Sequence, residues 1–155
     1  MHSWQRISTI AVAATFLAWQ GCQTRTPLLH SGETEVRAIL AEQMKQWNAG
    51  DLSAFMETYS KSDETRFASA GDVSRGWRTV YARYRKKYGD RTLMGSLRFT
   101  ELDVTMLNRD AAMAFGRWDL QRAAGNLSGL FTLLLRKGPE GWRIVHDHTS
   151  LAEDK

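Results

Sequence analysis

Residues Ser96 to Leu151 read SLRFTELDVTML, NRD, AAMAFGRWDLQRA, AGNLS, GLFTLLLRK, GPEG, WRIVHDHTSL. Runs rich in aliphatic, aromatic and β-branched residues alternate with short segments of Asn, Asp, Gly and Pro. This pattern predicts four strands joined by short connections, an antiparallel meander. The first run is long enough to need a bend or bulge. Alternation sorts the side chains by face. Trp142, Ile144, His146 and His148 share one face of the last strand, and Arg143, Val145, Asp147 and Thr149 the other. Arg117 and Asp119 fall with Met113 and Phe115, opposite Gly116, Trp118 and Leu120. A one-residue bulge would reverse any such assignment.

Upstream of the meander the period changes. Val36, Ile39, Leu40, Met44 and Trp47 repeat at helical spacing and predict a helix from about Glu33 to Ala49. NAGD (Asn48–Asp51) supplies a stop and a restart: Gly50 suits a left-handed helix end, and Asp51 suits a cap. Leu52, Phe55, Met56 and Tyr59 form the stripe of a short second helix. ETRFASA (Glu64–Ala70) reads as a short strand and GDVSRG (Gly71–Gly76) as a turn. Trp77, Val80, Tyr81, Tyr84 and Tyr88 then share one face of a third helix. Helices segregated from a meander make an α+β domain with the helices on one face of a strongly curved sheet. In LFTLLLR, apolar residues occupy both strand faces. A second subunit packed sheet to sheet is the expected cover, against the alternative of a buried central strand in a monomer.

The chain has 155 residues, which suits one domain. Residues 1–21 read as a secretory signal. Ile7 to Trp19 is uncharged and mostly apolar, yet short of the roughly 20 residues of a membrane span. Gly21–Cys22 resembles a bacterial lipoprotein processing site, with Trp19 where such sites usually carry Leu. Cys22 is then the expected lipidated residue and the bacterial periplasm the expected location. Residues 22–32 read as a polar linker containing Pro27, and residues 33–151 as the domain.

Composition narrows the partners. The formal net charge is +4, or about +3 once the signal is removed, which does not argue for nucleic acid. ARYRKKYGDR (Ala82–Arg91) is the one dense basic patch, and it reads as the solvated side of a helix whose tyrosines point inward.

The whole pattern resembles the nuclear transport factor 2-like superfamily: WNAGDLSAFMETY, then RGWRTVYARY, then a meander closing on GWRIVHDHTS. Its nearest branches are the SnoaL-like domains, the association domain of calcium/calmodulin-dependent kinase II and a large uncharacterised bacterial branch. The resemblance covers roughly residues 33–151. It implies a cone, in which a curved antiparallel sheet wraps a long helix and leaves a pocket at the wide end. It also implies a range of uses: isomerases, cyclases, dehydratases, epoxide hydrolases, or binding and oligomerisation modules. Fold therefore says little about activity.

The candidate residues follow. Arg117 either holds a carboxylate or an oxyanion in the pocket, with Asp119 as base or orienter, or the two form a surface ion pair near the sheet edge. His146 and His148 are candidate bases on a pocket wall, or structural hydrogen-bonding residues. As metal ligands they lack a third partner, since His2 and His30 lie in the signal and the linker. Tyr59, Phe67, Trp77 and Tyr81 are candidate ligand-binding residues, with plain packing as the alternative. No phosphate-binding glycine loop and no local signature of a nucleophilic triad is present, and no cofactor is expected. What remains is a small-molecule-binding pocket without assignable turnover, an acid–base enzyme, or a dimerisation module.

Overall fold

A computed structural model describes residues 27–152. Helix α1 spans Pro27–Ala49, so residues 27–32 are helical rather than linker; proline suits the first turn because its missing N–H has no helical partner there. Val36, Leu40, Gln43 and Trp47 form the buried stripe of α1. The helix stops as NAGD predicts. Gly50 has φ 80°, and its N–H donates to the Trp47 carbonyl at 2.9 Å. Asp51 then caps α2 (Leu52–Met56), its Oδ1 accepting the Ala54 N–H at 2.8 Å.

The stretch read as one strand and a turn is a hairpin of two strands, β1 (Arg66–Ser69) and β2 (Asp72–Arg75). Ala70 and Gly71 both adopt positive φ, 55° and 82°, so two residues suffice to reverse the chain. Helix α3 is Trp77–Lys87, and a short α4 (Arg91–Met94) follows.

The meander is β3 (Ser96–Asn108), β4 (Ala111–Gln121), β5 (Leu127–Gly138) and β6 (Gly141–Thr149). The six strands lie in the order β2-β1-β6-β5-β4-β3, and every neighbouring pair is antiparallel except β1 with β6. The bend expected in β3 is a register shift between Thr100 and Asp103, where Glu101 has φ 52°.

Helix α1 lies across the inner face of this curved sheet. Trp47 Nε1–H donates to the Met94 carbonyl at 3.0 Å. The Asn48 amide bonds both the Leu97 N–H (2.7 Å) and the Leu97 carbonyl (2.9 Å). At the other end Glu35 accepts from Trp142 Nε1–H at 3.0 Å and from Lys137 at 2.6 Å. The core lies between, built from Val36, Leu40, Val104, Ala112, Leu135 and Ile144 among others.

A bulge on β6 decides the site. In the β5–β6 pairing, Leu135 faces Ile144 but Leu134 faces His146, so Val145 is an extra residue on β6. Trp142 and Ile144 point into the core. Past Val145 the inward positions are Asp147 and Thr149, while His146 and His148 turn outward.

Candidate functional site

Between α1, α3 and the inner sheet face is a cavity of about 200 Å³. Its walls are rich in aromatic rings: Trp47, Phe55, Tyr84 and Tyr88 on the helical side, Phe99 and Phe131 on the sheet. The rings hold one another edge-on or tilted, as in Trp47–Tyr88 at 4.8 Å, Phe67–Tyr84 at 5.4 Å and Phe99–Phe131 at 5.1 Å between centroids.

One carboxyl group belongs to this wall. Asp147 is 4% exposed. Its Oδ2 accepts the Tyr59 O–H at 2.6 Å, and its Oδ1 accepts the Thr149 O–H at 2.7 Å. The backbone brings Tyr59 there. The Ile144 N–H donates to the Thr58 carbonyl, and the Ser60 N–H donates to the Ile144 carbonyl, both at 2.9 Å, which pegs the segment after α2 against β6. The Tyr84 hydroxyl lies 3.4 Å from that of Tyr59. Since Tyr59 gives its proton to Asp147, Tyr84 is the donor of that pair.

Burial raises the Asp147 carboxyl to about 6, against the bonds from Tyr59 and Thr149 and the charge of His148, which pull it down. Burial and the nearby carboxylate push Tyr59 and Tyr84 well above the ordinary phenol range, so both stay neutral donors. A carboxyl group poised near neutrality in an apolar cavity can accept a proton from a bound molecule or hold a polar atom by hydrogen bonding.

Not every predicted site residue reaches the cavity. Tyr59 and Phe67 line it. Trp77 and Tyr81 do not: Trp77 donates Nε1–H to the Met56 carbonyl at 3.0 Å, and the two rings pack at 5.2 Å beside the core. Arg117 and Asp119 lie on the outer sheet face because Gly116 and Leu120 take the inner one. There Arg117 pairs with Glu101 at 3.3 Å, and Asp119 lies 4.0 Å from Arg98. His146 and His148 face outward for the same kind of reason, the Val145 bulge. Burial, then His148 and Arg66, lower the His146 pKa. Among the described residues no three or more His, Cys, Asp or Glu side chains are grouped to hold a metal ion. Cys22 lies outside the described residues.

The sequence reading missed Asp147, Thr149 and Tyr84 as site residues. It had Asp147 on the wrong side of the strand and Tyr84 inside a stripe read as core. A model of the SnoaL-like domain matches residues 36–154. The chain belongs to the SnoaL-like domain family. This SnoaL-like domain is similar to a crystal structure of an NTF-2 like protein of unknown function from Shewanella oneidensis MR-1. The two are 38% identical, with 76% of this chain and 97% of that one covered at a TM-score of 0.72. It shares its fold with an NTF2-like protein with a cystatin-like fold from Novosphingobium aromaticivorans, at 18% identity, 82% and 86% coverage and a TM-score of 0.65. The same is true of a ketosteroid isomerase-like protein from Erwinia carotovora atroseptica, at 17% identity, 79% and 97% coverage and a TM-score of 0.65. No curated protein matches the chain.

Proposed function

We propose that this SnoaL-like domain binds a compact, mostly apolar small molecule in its aromatic cavity and meets one polar atom of that molecule with Asp147 and Tyr59. The observation that carries this reading is the buried Asp147 carboxyl group, bonded by Tyr59 and Thr149 and set among the aromatic and aliphatic side chains of the cavity wall. A buried charge is costly, and an apolar residue there would pack more cheaply. The cavity of about 200 Å³ is smaller than the roughly 300–1,000 Å³ of drug-sized sites, so the ligand is compact.

Tryptophan fluorescence tests this, because Trp47 and Trp118 both line the cavity. The neutral probe 4-phenylbutan-1-ol is expected to bind saturably, one per chain. Leu120→Trp, which fills the cavity from β4, is expected to abolish binding. A wild-type chain that shows no saturable binding contradicts the reading.

The carboxyl pKa near 6 favours one extension, in which Asp147 acts as a general base on a bound substrate, as an isomerase, cyclase or dehydratase would need. The expected catalytic residues then change from His146, His148 and Asp119 to Asp147.

Export, a lipid on Cys22 and a homodimer through the sheet remain part of the proposal. The dimer is supported by the outer face, where Met113 and Phe115 are 37% and 38% exposed beside the half-buried Leu130 and Leu134. Native mass spectrometry of protein taken from its host's membranes is expected to read a lipid-modified dimer. An unmodified monomer carrying its signal segment contradicts all three.

A further inference from the structure

The mouth of the cavity carries charge of the opposite sign to its floor. Arg83 and Lys87 lie one helical turn apart on α3, and both line the cavity. Their neighbours at the rim are Ser69, Ala70 and Leu151, the last 59% exposed. Asp147 and Tyr59, at 4% and 1% exposure, mark the inner end. Arg83 is half-buried and fixed in place. Its guanidinium lies 5.0 Å over the Phe67 ring, one terminal nitrogen donates to Ser74 Oγ at 3.2 Å, and the other reaches the Ser69 carbonyl at 3.5 Å. Those bonds leave N–H donors unused. Among the described residues, neither Arg83 nor Lys87 is ion-paired with a carboxylate, so both positive charges are available to a ligand in the cavity they line. The cavity is too small for a polyanion to enter, and the rest of the α3 basic run (Arg78, Arg85 and Lys86) is exposed and does not line it.

We infer that the ligand is an organic carboxylate, seated with its anionic head against Arg83 and Lys87 and its apolar body among Phe99, Leu120 and Phe131. The inference rests on the small-molecule-binding reading above and adds the ligand's class and its direction of entry. The planar guanidinium fork suits a carboxylate, and the Lys87 ammonium, 5.3 Å over the Tyr88 ring, adds a second positive charge. The acid at the inner end repels a second anion, so the head stays at the mouth. An uncharged polar atom on the body can then meet Asp147 and Tyr59.

Two probes with one body separate this inference from the reading it rests on. 4-Phenylbutyrate and 4-phenylbutan-1-ol differ only in the head group. At low salt and pH 7.5 the wild-type chain is expected to bind the carboxylate roughly tenfold more tightly than the alcohol. Salt should shrink that preference, since the mouth is partly open to water. Arg83→Gln should bring the two affinities together by weakening the carboxylate far more than the alcohol, with an unchanged urea midpoint reporting an intact fold. Arg83→Lys should keep most of the preference, and Lys87→Gln, at an exposed position, should reduce it. Equal affinities in the wild-type chain, or a preference that survives both Arg83→Gln and Lys87→Gln, overturn the anion inference and leave the cavity reading standing. If neither probe binds, the cavity reading falls and the inference falls with it.

Discussion

Asp147→Asn is expected to make the protein more stable above pH 7 and to weaken the ligand binding proposed for its cavity. Folding holds the Asp147 carboxyl group at about 6, against 3.8 in an open chain, because burial disfavours its charge. The folded state therefore binds the Asp147 proton more tightly than the unfolded state does. Stability from this group is fullest at low pH, falls as pH rises from about 4 through 6, and is flat beyond that. The whole step amounts to about 3 kcal/mol. Asparagine keeps the shape, can still accept the Tyr59 O–H and carries no charge. At pH 8 we expect Asp147→Asn to gain about 1–3 kcal/mol in urea unfolding, with the fall between pH 4 and 6 absent. The same variant should lose any proton-transfer activity and weaken ligands that bond to the carboxylate. A stability gain coupled to a functional loss is the mark of a residue kept for its chemistry. A destabilised Asp147→Asn with an unaltered pH profile would assign the carboxylate a structural role.

The second large effect is at Trp47. Its ring packs edge-on against Phe55 at 5.0 Å and Tyr88 at 4.8 Å, and its N–H bonds the Met94 carbonyl. Trp47→Ala removes those contacts, strands the carbonyl and opens the cavity towards α1. The expected cost is about 3–5 kcal/mol, a large share of the roughly 5–15 kcal/mol that holds a domain together. It should appear as a lower urea midpoint at unchanged slope. A loss below about 1 kcal/mol would mean that α1 is not clamped to the sheet through this ring.

These two residues also mark how much of the molecule can be read from its sequence. Trp47 sits in a helical stripe that periodicity exposes, and the Gly50–Asp51 stop and restart uses backbone chemistry with few alternatives. The four strands and the bend in β3 are legible for the same reason: alternation and turn residues are local signals. Asp147 is hidden because its direction depends on one unpaired residue, Val145. Nothing about a valine marks it as a bulge, and the residue count across it decides which of Asp147 and His148 faces the core. The Arg117 and Asp119 assignment turned on which strand face is inner. Gly116 shows what settles that, since a Cβ there would meet Phe131 at 2.7 Å, a packing fact between strands that no local pattern carries. Arg83 was hidden by its neighbours. In a dense basic run the two cations that turn into a cavity look the same as those that face water, until α3 is docked on β1 and β2.

The claim on which the rest depends is that Asp147 is a buried carboxyl group on the wall of an apolar cavity that a small molecule can fill. The most direct test is a ¹³C NMR titration of its side-chain carboxyl carbon, assigned by the signal that Asp147→Asn removes, without ligand and with 4-phenylbutan-1-ol bound. The account predicts a midpoint near 6 in the free protein and a shifted midpoint when the probe fills the cavity. A midpoint near 4 that ignores the probe would contradict it.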